Sequence, residues 1–376
     1  MIRLTLPTLS ALLHAYMGWR LLPALPGALA ASTAVLLVLS AWLVPQGLGR
    51  RGHGSAHRGL TIAGLVAMGW MSSLLVLTLL RDLLLGLAHA GHALGWWALN
   101  LPTLATDSAG TVLSGALALT LWGAWQARRR PPVVTVQVPI AGLPAGLQGF
   151  TIAQISDIHV GPTIRRPQLQ AMVDAVNALQ ADAVAITGDL VDGSVAQLAE
   201  HVAPLAELKA RHGAFFVTGN HEYYSGGPDW VAEVERLGVR VLMNEHVTLQ
   251  HQGSPLVLAG VADYTAHHFE PSHRSDPQAA LAGAPADAGA RVLLAHQPRS
   301  AEAAAAAGFD LQLSGHTHGG QFWPWGWFVP LQQPFVAGLH RVQQMWIYVS
   351  RGTGYWGPPK RVGAPSEITL LTLVAA

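Results

Sequence analysis

Five short polar clusters in this sequence contain the residue types that bind metal ions in proteins. They are Asp157-Ile158-His159, Gly188-Asp189, Gly219-Asn220-His221-Glu222, the single His296, and Gly315-His316-Thr317-His318. The chain has no cysteine, so a metal ion has to be held by imidazole, carboxylate and amide groups. That donor set suits zinc, manganese or iron.

Each cluster comes directly after a short apolar run whose length is typical of a buried strand. The runs cover residues 150–155, 183–186, 214–217, 292–295 and 309–313. Binding sites in open α/β sheets form beyond the carboxyl ends of the strands. The order of runs and clusters therefore predicts that all five clusters meet at one place.

The spacing inside the clusters fits a shared site. Asp157 and His159 are two residues apart, as are His316 and His318. Residues two apart in an extended backbone point the same way, so each pair is predicted to face one metal cluster. A glycine comes immediately before a ligand at positions 188, 219 and 315, where it permits a sharp turn and a close approach of the backbone to an ion.

The rest of the region after residue 130 alternates between strand and helix patterns. Further apolar runs cover 239–243, 256–260 and 346–349, and helical patterns cover 168–180 and 228–237, the second ended by Gly238. Alternation of this kind predicts a layered α/β domain over residues 131–376.

The first 130 residues have a different composition, dominated by Leu, Ala, Gly and Trp. Apolar stretches at 4–22, 25–45, 60–80 and 111–126 predict an all-α transmembrane bundle of about four helices over residues 1–130. Residues 83–100, with Trp96 and Trp97, predict a separate interfacial helix. The mean hydropathy of +0.32 and the 11% share of charged residues agree with a membrane protein.

Arginines near the predicted helix ends set the expected orientation. Two of them, Arg20 and Arg81, fall on one side of a four-span bundle. The others fall on the opposite side: Arg3, Arg50, Arg51, Arg58, Arg128, Arg129 and Arg130. The arginine-rich side is predicted to be cytoplasmic, together with the domain that follows it, whether or not the first segment spans. If 83–100 crosses the membrane, the domain faces outward.

The ordered set of clusters resembles the calcineurin-like metallophosphoesterase superfamily, in which Asp-x-His, Gly-Asp, Gly-Asn-His, a lone His and Gly-His-x-His follow one another. The resemblance extends from about Gly149 to the C-terminus. It is closest to the bacterial membrane-associated branch, with similar segments at 188–192, 315–321 and 348–352. That branch includes enzymes resembling the hydrolase that cleaves UDP-diacylglucosamine. The resemblance implies a layered β-sandwich flanked by helices, in the bacterial inner membrane.

The resemblance also implies a division of the ligands between two divalent metal ions. Asp157, His159 and His318 are expected to hold one ion, and Asn220, His296 and His316 the other, while Asp189 bridges both. Two ions about 3.5–4 Å apart lower the pKa of a bridging water and clamp the phosphate oxygens during in-line attack.

Three neighbouring residues are expected to act behind these ligands. The resemblance places His221 where it donates to a phosphate oxygen or protonates the leaving group. Glu222 replaces the more familiar Asp and is expected to orient His221 or a ligand. Asp192 is interpreted either as support for the site or as the N-cap of the next helix.

An aromatic segment follows the last histidine pair, and we call residues 322–328 the aromatic loop. It contains Phe322, Trp323, Trp325, Trp327 and Phe328. Pro324 and Gly326 predict a loop rather than a helix or strand. Its rings are expected either to contact lipid or an acyl chain beside the site or to fill a core.

The sequence thus predicts a membrane-anchored, metal-dependent phosphoesterase that hydrolyses a phosphomonoester, phosphodiester or pyrophosphate bond. The anchor favours a lipid-linked or membrane-proximal substrate. A formal net charge of +1 gives no field that would attract nucleic acid. Two alternatives remain open, namely a transporter or membrane redox protein with an accessory domain, and a non-catalytic metal-binding sensor.

Overall fold

A computed structural model describes residues 5–49 and 57–376 of the chain. Contacts divide it into two compact units. The helical unit ends at Arg128 and also includes Gly357–Val362, and the sheet unit consists of Arg129–Trp356 and Gly363–Ala376. The domain boundary at residue 130 stays a prediction. The contacts assign six later residues, Gly357–Val362, to the helical unit. Arg3, Arg50 and Arg51, which the orientation argument uses, lie outside the described residues.

The described residues of the helical unit form four long helices. They are α1 (Leu6–Leu21), α2 (Gly27–Gly49), α3 (Arg58–Ala93) and α4 (Leu101–Arg128). Helices α2, α3 and α4 are long and apolar enough to cross a membrane. Helix α1 has 16 residues, fewer than the roughly 20 that a membrane-spanning helix needs. The prediction of an N-terminal helical region is confirmed, with three candidate spans among the described residues.

The prediction of a separate interfacial helix at 83–100 is wrong. Residues 83–93 continue α3 without a break, and a turn at Gly95, with φ of 73°, follows. Helix α3 runs through Arg81 and Asp82, and both side chains have polar partners inside the unit. Asp82 Oδ2 accepts from Arg20 Nε at 2.8 Å, and Arg81 Nε donates to Ser108 Oγ at 3.0 Å.

Small residues allow close packing in the helical unit. A Cβ atom on Gly47 or Gly64 would collide with the backbone of the other residue, so α2 and α3 cross in near contact, as small residues permit in membrane helices. The segment Gly357–Val362 packs against α3 and α4. Lys360 Nζ donates to the carbonyl of Gly69 at 2.9 Å, and the Arg361 N–H donates to the carbonyl of Gly123 at 2.9 Å.

The sheet unit contains two six-stranded sheets. In chain order the strands are β1 (Val133–Ile140), β2 (Thr151–Ile155), β3 (Ala183–Thr187), β4 (Ala214–Val217), β5 (Arg240–Val241), β6 (Glu245–His251), β7 (Ser254–Gly260), β8 (Ala290–Leu294), β9 (Leu311–Ser314), β10 (Gly338–Val342), β11 (Met345–Val349) and β12 (Ile368–Ala375). One sheet has the order β1-β12-β2-β3-β4-β5 and the other β10-β11-β9-β8-β7-β6. The predicted layered α/β fold is confirmed, and each of the eight apolar runs falls on a strand.

Shorter helices flank the sheets. They are α5 (Arg166–Ala178), α6 (Val195–Val202), α7 (Asn220–Tyr224), α8 (Gly227–Arg236), α9 (Pro277–Ala280) and α10 (Ala301–Ala307). Helix α5 buries Leu169, Met172, Val173 and Val176, the apolar face that the sequence pattern indicates. Pro167 stands in its first turn, where a missing N–H costs nothing.

One continuous core lies between the two sheets. It combines Ile152, Ala185 and Val217 of the first sheet with Leu258 and Val292 of the second. Strands β2, β3 and β4 run parallel to one another, as do β7, β8 and β9. Because the carboxyl ends of parallel strands share one edge of a sheet, the polar clusters after them are delivered to the same end of the sandwich.

Candidate metal centre

The predicted ligands do converge at that end. His296 Nε2 lies 3.2 Å from Asp189 Oδ2 and 3.2 Å from His316 Nδ1. His159 Nε2 lies 3.1 Å from His318 Nε2. Donor atoms of three groups lie within 4.8 Å of one another: Asp157 with His159 and His318, Asp189 with His296 and His316, and His159 with Asp189 and His221.

The backbone at these ligands differs from the expected extended form. Asp157, His159, Asp189, His316 and His318 all have positive φ, between 51° and 70°. Non-glycine residues adopt this left-handed region rarely, and such strain concentrates at functional sites. The paired ligands therefore meet through tight left-handed turns, and the extended-strand explanation for their spacing is wrong.

Two of the preceding glycines are required by close approach. A Cβ atom on Gly315 would collide with the Asp157 carboxylate, and one on Gly219 would collide with the Asp189 carboxylate. At these two positions the glycine makes room for the carboxylate of Asp157 or Asp189. The strained, positive φ is adopted by these two aspartates and not by the glycines.

The donor set fits divalent cations. Ring nitrogens of His159 and His318 lie 3.1 Å apart, and those of His296 and His316 lie 3.2 Å apart. Basic nitrogens this close together beside carboxylates are arranged as donors around a common ion are. Asn220 Oδ1 is buried and has no hydrogen-bond partner. A buried oxygen without a partner is costly, and coordination of a cation would satisfy it.

Hydrogen bonds with residues around the site fix the orientation of the ligand side chains. His296 Nδ1 lies 2.7 Å from the carbonyl oxygen of Thr187, which can only accept, so Nδ1 carries the proton and Nε2 faces the site. Ser156 Oγ donates to Asp157 Oδ2 at 2.6 Å. Burial and the neighbouring His296 lower the pKa of His316 to about 3.

Asp192 lies directly behind two histidines. Its Oδ1 is 3.1 Å from His159 Nδ1 and 2.6 Å from His221 Nδ1. Despite burial, both imidazoles hold the pKa of Asp192 well below its usual range. The N-cap interpretation is wrong because α6 begins after Ser194, whose N–H donates to Gln197 Oε1.

Glu222 binds backbone rather than the His221 ring. It is fully buried, and its carboxylate accepts the N–H groups of Asp189, Leu190 and Gly219 at 3.0, 2.8 and 2.6 Å. Burial and the adjacent Asp189 raise the pKa of Glu222 to about 8, against the opposing Gly219 hydrogen bond. Glu222 therefore joins the loops that carry Asp189 and Asn220.

His221 lies at the rim of the centre. Its backbone N–H donates to Asp189 Oδ1 at 2.8 Å, and its side chain is 14% exposed. Burial disfavours the charged imidazole, but Asp189 and Asp192 outweigh it and raise the pKa of His221 to about 9. The ring is thus held protonated at neutral pH on the open side of the site.

Two aromatic side chains beside His221 were not predicted from the sequence. The ring centroid of Tyr224 lies 5.1 Å and that of Trp356 5.9 Å from the His221 ring. Gln321 holds Trp356 by both backbone groups, with Oε1 accepting its N–H and Nε2 donating to its carbonyl, each at 2.8 Å. In the sequence, the one indication of this arrangement is Gln321, the last residue of the 315–321 segment that resembles the family.

The aromatic loop is anchored next to the ligand loops. Gly320 and Gly326 are in such close contact that a Cβ on Gly320 would collide with the Gly326 backbone. Beyond the loop, Thr317 Oγ1 donates to the carbonyl of Val336 at 2.6 Å, and Gln333 Nε2 donates to Gln297 Oε1 at 3.1 Å. Trp323, Trp325, Trp327 and Phe328 are exposed, and Phe322 is half-buried.

Comparison with known proteins agrees with this centre. The model of the calcineurin-like phosphoesterase family matches residues 150–320. A Bos taurus transmembrane protein with metallophosphoesterase domain is 38% identical over 330 residues, which cover 83% of this chain and 74% of the relative. This chain belongs to the calcineurin-like metallophosphoesterase family.

Two further metallophosphoesterases show the spread of the family. A Danio rerio transmembrane protein with metallophosphoesterase domain is 39% identical over 266 residues, which cover 69% of this chain and 61% of the relative. An uncharacterized metallophosphoesterase of Helicobacter pylori is 37% identical over 257 residues, covering 67% and 66%. The family resemblance is confirmed, and the narrower likeness to UDP-diacylglucosamine hydrolases stays a prediction.

Proposed function

We propose that this metallophosphoesterase is a membrane-bound hydrolase of phosphate esters that works with two divalent metal ions. The observation that carries the proposal is the convergence of the ligand side chains around a buried Asn220 Oδ1 that has no partner. Asp157, His159 and His318 would hold one ion, Asn220, His296 and His316 the other, and Asp189 both. Bound manganese, zinc or iron would supply Lewis-acid chemistry and lower the pKa of water.

The residues around the ions prepare the leaving group and the phosphate. His221, held protonated by Asp189 and Asp192, has the charge to donate a proton to a departing oxygen. Asp192 fixes the ring direction through its 2.6 Å contact with Nδ1, which leaves Nε2 to face the substrate. Tyr224 and Trp356 border that ring and would line the side on which the leaving group departs.

The test of this function is a hydrolysis screen of the full-length protein in detergent. Phosphomonoester, phosphodiester and pyrophosphate substrates are compared after chelation and after separate addition of manganese, zinc and magnesium. We expect turnover of one ester class that is lost on chelation and restored by manganese or zinc. Turnover that survives complete metal removal, or none with any ester and metal, contradicts the proposal.

We further propose that the substrate is lipid-linked. The exposed rings of the aromatic loop follow the His316/His318 pair by a few residues, and the Gly320–Gly326 contact keeps the loop beside it. Exposed Trp and Phe side chains next to a site in a membrane protein favour contact with acyl chains. A lipid tail seated on these rings would bring its phosphate group toward the metal centre.

Replacement of Trp325 and Trp327 by Ala should weaken activity on an acylated substrate by about tenfold for each 1.4 kcal/mol of binding lost. Both rings are exposed, at 40% and 72%, and burying apolar area against a lipid tail contributes about 25 cal/mol per Å². A small chromogenic ester gains nothing from that surface and should be cleaved at the normal rate.

The matched control replaces the same two residues by Phe, which keeps an apolar ring at each position. We expect activity on the acylated substrate to be largely preserved in that variant. Equal losses on acylated and small substrates would mean that the loop is structural. No loss on either substrate would mean that the loop does not contact the lipid.

We propose that the protein resides in the cell membrane of a bacterium with the metal centre in the cytoplasm. Helices α2, α3 and α4 have the length to span, and Arg128 ends α4 and is followed directly by Arg129 and Arg130. Positively charged residues at a helix end favour the cytoplasmic side.

A tag placed after Ala376 should therefore be protected from protease added to intact spheroplasts. The protected fraction is measured by immunoblot before and after lysis, with a periplasmic protein as the control for access. Degradation of the tag in intact spheroplasts would place the sheet unit on the outside.

A further inference from the structure

A groove on the helical unit, separate from the metal centre, has the features of a lipid site. It lies between α3 and α4 and has a volume of about 460 Å³. Its lining includes Leu77, Arg81 and Leu84 of α3 and Asp107, Ser108 and Leu119 of α4. The groove has a polar end near the start of α4 and an apolar end toward its middle.

Arg81 supplies a buried positive charge at the polar end. The residue is only 5% exposed. Its guanidinium donates to Ser108 Oγ at 3.0 Å, to the carbonyl of Arg20 at 3.2 Å and to that of Ala105 at 2.9 Å. All three acceptors are neutral oxygens, and they engage three of the five N–H groups of the guanidinium.

The nearest carboxylate is shared between two arginines. Asp82 Oδ1 forms an ion pair with Arg81, 3.6 Å from Nη1. Asp82 Oδ2 accepts from Arg20 Nε at 2.8 Å and from Tyr16 Oη at 2.7 Å. These three charged groups therefore carry one excess positive charge, and Arg81 is the arginine that lines the groove.

Asp107 supplies a negative charge at the same end. It is exposed, lines the groove, and forms no ion pair with any residue that the structure describes. A ligand matched to this end therefore carries an anionic group for Arg81 and a cationic group for Asp107. A phosphate ester with a nearby amine has both.

The apolar end of the groove extends from the polar end along α3 and α4. Gly115 and Leu77 both line it, and Leu77 Cδ1 would lie 3.3 Å from a Cβ on Gly115. From Leu104 to Leu119 the lining covers about 22 Å of helix at 1.5 Å per residue. This exceeds half of the roughly 30 Å hydrocarbon thickness of a bilayer, which is the depth of one acyl chain.

We infer that this groove binds a phospholipid with an amine headgroup of the phosphoethanolamine type. The phosphate binds the buried Arg81, the ammonium binds Asp107, and one acyl chain lies between α3 and α4 over Gly115. The inference requires α3 and α4 to be in a membrane, and it is independent of the metal centre and of the reaction.

The test is a lipid titration of delipidated full-length protein, followed by native mass spectrometry. Phosphatidylethanolamine, phosphatidylglycerol and diacylglycerol with identical acyl chains serve as probes. We expect phosphatidylethanolamine to bind at least about tenfold more tightly than diacylglycerol, equivalent to about 1.4 kcal/mol, and more tightly than phosphatidylglycerol. The Asp107→Asn variant should lose the preference over phosphatidylglycerol, and Arg81→Gln the preference over diacylglycerol.

A matched pair of variants guards against misfolding, because Arg81 also holds helices together. Leu84 lines the groove and Leu83 does not, yet they are similarly exposed, at 57% and 61%. Leu84→Trp fills the groove and should reduce phosphatidylethanolamine binding at least tenfold, whereas Leu83→Trp should leave it unchanged. Equal binding by these two variants overturns the inference, as does diacylglycerol or phosphatidylglycerol binding as tightly as phosphatidylethanolamine.

Discussion

The Asp189→Asn variant should lose hydrolysis and most of its bound metal. Asp189 Oδ2 faces His296 Nε2 at 3.2 Å and His159 Nε2 at 3.8 Å, so its carboxylate borders both proposed metal positions. An amide of the same shape removes a negative charge that offsets two divalent ions. Metal content is measured by elemental analysis of the detergent-purified protein, and turnover on the ester identified in the hydrolysis screen.

The control for this substitution is Asp174→Asn on the exposed face of α5, which makes the same change of charge. It should retain both metal and activity. The fold of the Asp189 variant is checked by its thermal unfolding in the presence of chelator, where both variants should match the parent protein. Normal metal content and turnover in Asp189→Asn would refute the assignment of the site.

The His221→Ala variant should keep its metal ions and lose about 10²–10⁴-fold in turnover, the range expected for a positioned proton donor. The ring is 2.6 Å from Asp192 and borders the centre from its open side. The loss should be largest for esters with a poor leaving group, because an activated leaving group departs without a proton. Rates on an alkyl and a nitrophenyl ester measure this difference.

Metal analysis separates the two possible roles of His221. It also lies within reach of His159 and Asp189 as a potential ligand. If the variant loses metal together with activity, His221 binds an ion and does not act as the proton donor. The Asp192→Asn variant keeps the imidazole of His221 and removes the carboxylate that His221 shares with His159.

Much of the centre was predictable because each ligand stands at the end of an apolar run that is long enough for one strand. The eight runs all fall on strands, and β2, β3 and β4 align in parallel. The sequence did not indicate the strands β6, β10 and β12. Strand β12 pairs with β1 and β2 from the far end of the chain, a pairing that no local pattern can report.

The positions of Asp192, Tyr224 and Trp356 could not be inferred for a related reason. Asp192 stands shortly before α6 and has the residue type of an N-cap, and only the folded chain places it against His159 and His221. Trp356 is separated from His221 by more than 130 residues. Its place depends on the backbone hydrogen bonds with Gln321, which leave no trace in residue spacing.

The membrane part was misjudged at 83–100, which was predicted as a separate interfacial helix, although residues 83–93 continue α3 past Arg81 and Asp82. Charged residues inside membrane helices are costly unless they are paired. Here the Arg20 side chain and the hydroxyl of Tyr16 donate to Asp82 Oδ2. Helix α3 therefore runs without a break over its full 36 residues. The partner residues come from α1, more than 60 positions earlier.

The segment Gly357–Val362 makes it difficult to separate the two units as fragments. A soluble fragment beginning at Arg129 would still carry Lys360, whose side chain is 2% exposed and whose ammonium group donates to Gly69 of α3. Without α3 and α4, this segment would present an unmatched surface to water. A single cut after Arg128 therefore leaves part of the helical unit attached to the sheet unit.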